Sequence, residues 1–269
     1  MPTTLIEPAA LSAHLADPDW VIVDCRFELA RPEWGALAWA AGHIPNALYA
    51  HLDRDLSGAR TALTGRHPLP AIAALSATFG RWGIDKEVQV VAYDQGVGAY
   101  AARLWWLLRW LGHEQAAVLD GGIGAWERAG LPLEAAATVR AQRRFTAAPA
   151  QALVVTTPAL ARIVAAGALT RLDPVAGHIP GARNHPFAGN LDAHGRFLAA
   201  PELRRRWAGT LRERAPQTLI AMCGSGVTAC HNLLALEAAG LPGARLYAGS
   251  WSEWIRDPAR PVARGGETS

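Results

Sequence analysis

Three cysteines, Cys25, Cys223 and Cys230, are all that the 269 residues contain. The count is odd and no Cys-x-x-Cys occurs, which excludes a disulfide framework and the common zinc spacings and suits a reducing compartment, the cytoplasm. Dense basic runs are scarce as well. Net charge is only +3 and arginine is spread through both halves, so nucleic-acid binding is not expected. The tightest cluster, Arg204 to Arg206 with Arg212 and Arg214, has helical spacing beside Trp207 and reads as a solvated helix face. No apolar run approaches the ~18 residues needed to span a bilayer, and the N-terminus lacks a basic segment followed by an apolar core, so neither a membrane span nor a secretory signal is expected. Charged residues make up 18% of the chain and hydrophobic ones 51%, a balance that excludes general disorder.

What is present is length enough for two domains, and the same plan written twice. Ala41-Gly42-His43-Ile44-Pro45-Asn46-Ala47 returns as Ala176-Gly177-His178-Ile179-Pro180-Gly181-Ala182, offset by 135 residues. Val118 to Trp126 returns as Leu246 to Trp254, and Val90-Val91-Ala92-Tyr93-Asp94 as Leu219-Ile220-Ala221-Met222-Cys223. The order is the same in both halves, so duplication is the reading.

Each half alternates short apolar strands with longer helices. Strands are expected at 21–24, 88–93 and 117–119, then at 218–221 and 244–247; helices are expected at 71–79 and 99–111, then from Pro201 and at 229–238. That alternation gives an α/β fold of mostly parallel sheets with helices on both faces. The expected division is 1–135, a linker over 136–156, and 157–269.

Cys223 follows a strand, and a strand-ending cysteine taken alone is more often a small core residue than a nucleophile. The loop that follows changes this. Gly224, Ser225 and Gly226 let the chain curl so that successive N–H groups face one point, and Val227 and Thr228 lead into a helix whose positive end faces the same point. Such surroundings favour a thiolate, and they can hold the outer sulfur of a persulfide. A cysteine phosphatase would need an arginine six residues after the cysteine, and position 229 is Ala. A cysteine protease would need a histidine base. His231 lies in the following helix, and His43, His67, His178, His185 and His194 lie in loops, so a histidine near Cys223 stays open. His43 and His178 occur in both repeats although only one carries a cysteine, which makes them structural turn residues.

These motifs resemble the tandem-domain rhodanese family of thiosulfate and 3-mercaptopyruvate sulfurtransferases, over nearly the whole chain. The resemblance implies two rhodanese-like domains, the first catalytically silent because Asp94 stands where Cys223 does, and supplying one wall of the site. It implies that Cys223 takes sulfur from a small-molecule donor and passes it to a thiol, a thioredoxin-like protein or cyanide, with no metal or organic cofactor. It makes Ser225 a proton-transfer aid and has Asp53 complete a Cys-Ser-Asp set. His67, Arg54 and Arg183 are the substrate-binding candidates. A loop without basic residues at 224 and 225 resembles the mercaptopyruvate branch, since the compact thiosulfate dianion rewards fixed positive charge. One departure stands out: Asp24 precedes His43 by 19 residues, whereas Asp173 precedes His178 by 5. The family's substrate-gripping arginines belong to that shortened stretch, where Arg171 and Arg183 are the ones nearby. It motivates a second reading, a non-catalytic rhodanese-like module that senses oxidants or binds a partner. Cys25 and Cys230 are read as core thiols, and the tryptophans, Trp105, Trp106 and Trp110 among them, as core.

Overall fold

The computed structural model describes Met1, residues 3–161 and residues 173–264. Two compact units emerge. The first gathers Met1–Gly58, Pro70–Ala150 and Leu191–Phe197; the second gathers Ala59–Leu69, Gln151–Asn190 and Leu198–Ser269. One short segment from each half of the sequence therefore belongs to the other half's unit. The stretch that includes Arg171 lies outside the described residues.

The first unit contains strands β1 (Leu5–Ile6), β2 (Trp20–Asp24), β3 (Ala47–Tyr49), β4 (Gln89–Tyr93) and β5 (Ala116–Leu119). Its helices are α1 (Pro8–Ser12), α2 (Trp34–Ala41), α3 (Ile72–Arg81), α4 (Ala101–Trp110) and α5 (Gly122–Arg128). The strands form one parallel sheet in the order β1-β5-β4-β2-β3. Every residue of β2, β4 and β5 is buried, as expected for strands covered on both faces and written as unbroken apolar runs. Of α4, only Arg109 escapes full burial, so its three tryptophans are core, with Trp106 and Trp110 stacked 5.8 Å apart.

Ile6, Ile22, Val91, Tyr93, Leu119 and Trp126 meet in a single cluster with Ile44. Beside it lies a buried polar knot. Asp24 takes the Arg26 Nε–H at 2.8 Å and the Tyr93 hydroxyl at 2.8 Å, while Arg26 Nη2 donates to the Gly42 carbonyl at 2.7 Å. Burial raises the Asp24 carboxyl pKa despite those donors, and it pushes the Tyr93 phenol well up.

In the second unit are α6 (Thr157–Leu160), α7 (Ala200–Leu211), β6 (Ile220–Ala221), α8 (Thr228–Ala238), β7 (Arg245–Leu246) and α9 (Ser250–Trp254). β6 and β7 pair in parallel, and Val154 joins the far side of β7 through a parallel bridge to Leu246. The core collects Val155, Leu160, Ile179, Met222, Tyr247 and Trp251.

The two Gly-His-Ile-Pro turns are fastened alike. His43 exchanges backbone hydrogen bonds with Glu134 and His178 does so with Ala263, at 2.8 to 2.9 Å. The buried His43 ring also stacks on Trp39, and its Nδ1 lies 2.7 Å from the Trp39 carbonyl. The chain is thus an α/β protein, the described sheets wholly parallel and surrounded by helices. Among the described residues no helix is long and apolar enough to cross a membrane.

Candidate active site

β6 delivers Cys223 two residues past its end, and α8 begins at Thr228, so residues 223–227 form the turn from strand to helix. The turn is tied down from one side. The Cys223 N–H donates to Ser250 Oγ at 3.1 Å, and that hydroxyl donates to the Tyr247 carbonyl at 2.9 Å. The Cys223 and Gly224 carbonyls accept the N–H groups of Trp251 and Ser252, at 3.0 and 2.9 Å. The repeated box 246–254 therefore acts locally, its turn and the start of α9 fixing the cysteine loop.

Gly226 has φ +79°, and a Cβ there would stand 2.3 Å from the Ala248 carbonyl oxygen, so no other residue fits. Its N–H donates to Cys223 Sγ at 3.1 Å. A donor aimed at the sulfur stabilises negative charge on it. Cys223 and Ser225 are both largely buried, at 6% and 7% exposure, which strengthens each such contact.

Residues 65–67 bind the same loop from the opposite side, and they belong to the same unit. Gly65 lies so close that a Cβ would meet the Gly249 carbonyl oxygen at 2.6 Å. The Arg66 N–H donates to Ser252 Oγ at 3.0 Å, and the Arg66 guanidinium forms an ion pair with Asp173. His67 follows, buried, with Nδ1 2.8 Å from Ser225 Oγ. The open question of a histidine near the cysteine loop is answered by His67. A neutral imidazole at that distance can take the serine proton or lend its own, according to the tautomer.

Three substrate-site or catalytic candidates remain, two in the first unit and one in the second. Asp53 is half-buried in the first unit, its N–H donating to His51 Nδ1 at 3.1 Å. Arg54 is exposed in that unit, 3.6 Å from Glu33. Arg183, in the second unit, donates from Nη1 to the Thr210 carbonyl at 3.1 Å. Val227 and Thr228 carry the turn into α8. Residue type alone does not single out Ser250, Ser252, Arg66 or Asp173; for the two serines, the recurrence of the box they sit in is the available signal.

The first unit makes the matching turn from β4 into α4 without a cysteine. The Asp94 carboxylate curls into it and accepts four N–H groups, from Gly96, Gly98 and Tyr100 at 2.9 Å and Ala101 at 3.3 Å. Nearby, burial first and then Asp24, Asp94 and Asp55 push the Cys25 thiol pKa far up, which leaves it an inert thiol. Cys230 is buried in α8 with its Sγ 3.3 Å from the Gly226 carbonyl.

Comparison with known proteins returns one family. The Rhodanese-like domain matches residues 7–129 and 163–257. The chain is 47% identical to the Probable 3-mercaptopyruvate sulfurtransferase of Pseudomonas aeruginosa, covering 97% of this chain and 98% of that one. It is 31% identical to Thiosulfate/3-mercaptopyruvate sulfurtransferase 1, mitochondrial, of Arabidopsis thaliana, over 94% of this chain and 76% of that protein. Among solved structures, the 3-mercaptopyruvate sulfurtransferase from Leishmania major superposes with a TM-score of 0.85 at 31% identity, covering 95% of this chain and 76% of the other.

Proposed function

The chain belongs to the rhodanese family and is a sulfurtransferase, and from that premise we propose that Cys223 carries the transferred sulfur as a persulfide, with 3-mercaptopyruvate as the donor and thiosulfate the second choice. The observation that carries this reading is the Gly226 N–H on Cys223 Sγ, inside a loop whose neighbouring Ser225 is bonded to His67.

In the first half-reaction the Cys223 thiolate attacks the donor sulfur. A new S–S bond forms, the donor's C–S bond breaks, and its electron pair stays with the carbon fragment, which takes a proton and leaves as pyruvate. The sulfur is oxidised to the sulfane level and the carbon is reduced to a methyl group, so no outside oxidant is required. Ser225 and His67 are suited to move that proton, because the hydroxyl lies two residues from the nucleophile and the imidazole can hold or return its hydrogen. In the second half-reaction a thiol, a thioredoxin-like protein or cyanide removes the outer sulfur. The sulfur rides on the protein throughout, so neither a metal nor an organic cofactor takes part. The odd set of free cysteines fits a cytoplasmic location.

Treatment with 3-mercaptopyruvate should add the mass of one sulfur to the Cys223 peptide, and the Cys223→Ser variant should lose both adduct and turnover. No adduct with either donor, together with ready alkylation of Cys223, would leave the redox-sensing or partner-binding module instead. The part that the resemblance gives Asp53 is tested alongside: Asp53→Asn should slow turnover while leaving the alkylation of Cys223 by neutral iodoacetamide unchanged.

A further inference from the structure

We propose that His51 is a positioning residue for Asp53: its imidazole Nδ1 holds the Asp53 backbone N–H while the ring is neutral and lets it go when the ring is protonated. The inference deepens the sulfur-transfer reading, resting on Cys223 as the nucleophile and on the part that the resemblance gives Asp53.

Residues 51–55 fold back on themselves. The His51 N–H donates to Asp55 Oδ2 at 2.8 Å, and the Asp55 N–H donates to the His51 carbonyl at 2.9 Å. Between these two ties the Asp53 N–H donates to His51 Nδ1 at 3.1 Å. A side-chain acceptor that takes the N–H two residues on is the way aspartate and asparagine close turns, and here an imidazole nitrogen does it.

That choice of acceptor adds a condition that an amide oxygen would not. A ring nitrogen accepts only while it is unprotonated, so the neutral ring carries its hydrogen on Nε2, and an imidazolium cannot accept at all. The surroundings hold the ring in place for this. His51 is 2% exposed, Phe27 and Tyr49 stand edge-on to its ring at 5.2 and 6.3 Å, and Nε2 lies 3.5 Å from the Glu33 carboxylate. The titratable and charged groups around it are Glu33 just before α2, Tyr49 at the end of β3, and Asp53, Arg54 and Asp55 of the turn itself, with Arg54 3.6 Å from Glu33. Glu33 faces an N–H on Nε2 in both states of the ring. The Nδ1 side is the one that changes, and protonation there sets two N–H groups against each other at Asp53.

The test compares His51→Asn and His51→Leu with the wild type. An asparagine oxygen can accept the same N–H and does not titrate, whereas leucine accepts nothing. At each pH the rate of one-sulfur adduct formation from 3-mercaptopyruvate is divided by the rate of Cys223 labelling by neutral iodoacetamide, which cancels the thiolate fraction. The wild-type ratio should fall between about pH 7.5 and about pH 5.5. In His51→Asn the ratio at the higher pH should stay close to wild type, and its fall should be at least about threefold smaller. In His51→Leu the ratio should be about tenfold low at both pH values.

Leucine also takes a polar ring away from Glu33, so melting temperatures are read alongside, and if His51→Leu does not fold the pH dependence of His51→Asn decides alone. A residue that only packs the turn would not give a flatter profile on replacement by asparagine. The same acid fall in His51→Asn as in wild type, or a wild-type ratio in His51→Leu while Asp53→Asn is slow, would overturn the proposal. Failure of the premises shows separately: Asp53→Asn that turns over like wild type removes the part given to Asp53, a wild-type protein that forms no adduct removes the sulfur reading, and either takes this inference with it.

Discussion

Asp94 and Cys223 stand just past matching strand ends, and they differ in what their loops do with backbone N–H groups. In the first unit four of them converge on a carboxylate, which neutralises the positive end of α4 with a group the chain itself supplies. Asp94→Ala leaves those donors without an acceptor at a fully buried position. The expected loss is about 3 kcal/mol, read as a lower midpoint in chemical denaturation, with Asp94→Asn losing less because its amide oxygen still accepts. At Gly226 the constraint is steric. With φ at +79° and the Ala248 oxygen 2.3 Å from any added Cβ, Gly226→Ala must move the loop, and the N–H that points at Cys223 Sγ moves with it. The variant should be less stable by more than about 1 kcal/mol and should form the one-sulfur adduct far more slowly, measured by mass spectrometry at fixed donor concentration. A variant that labels at the wild-type rate would show that this donor does not matter.

At the scale of elements, long apolar runs were legible and short tertiary ones were not. β2, β4 and β5 and helices α4, α7 and α8 sit where apolar runs, Pro201 and the glycine punctuation put them. β1 is two residues and exists because the longer β5 offers register, Leu5 opposite Val118, whereas β6 and β7, also two residues each, fall inside the apolar runs expected as strands at 218–221 and 244–247. α2 is apolar on all sides, with no stripe to announce it, and α9 starts at Ser250 with φ +52°, a conformation its residue type does not advertise. The site divides in the same way. Glycines at 224 and 226 announce a tight loop after a strand, whereas nothing local at 65–67 tells that this segment leaves its own half to strap the loop. Gly65 makes that strap possible by its close approach to Gly249. Gly65→Val should therefore lift His67 from Ser225 and cut turnover at least tenfold, while Cys223 still reacts with iodoacetamide. Equal losses of turnover and labelling would mean that the whole loop depends on the strap.

Across the whole molecule, each unit contains a histidine whose burial couples stability to pH. In the first unit His113 sits beside the Gln115 carbonyl, and burial lowers its pKa below the ordinary 6.5. In the second, His185 stacks on Trp207 at 3.6 Å, with Nδ1 2.8 Å from Thr210 Oγ1 and Nε2 3.3 Å from Asn190 Oδ1. Its pKa is lowered by burial, opposed in part by the hydrogen bond to Asn190, with a lesser downward contribution from Arg206. A histidine of lowered pKa stays neutral in the folded protein after it would have taken a proton in the unfolded chain. The unfolded state then binds more protons, so stability falls as pH drops through 6.5 and levels off only once the folded histidine also titrates. The carboxyls of Asp24 and Asp120, raised chiefly by burial, act in the opposite direction because they take protons earlier in the folded state, but their window opens upward from 3.8. The fall just below pH 6.5 therefore belongs to the histidines. His185→Gln, which can still reach Thr210 or Asn190, should reduce the difference in melting temperature between about pH 7.5 and about pH 5.5, and adding His113→Gln should reduce it further. An unchanged difference in the double variant would assign the acid sensitivity to other groups.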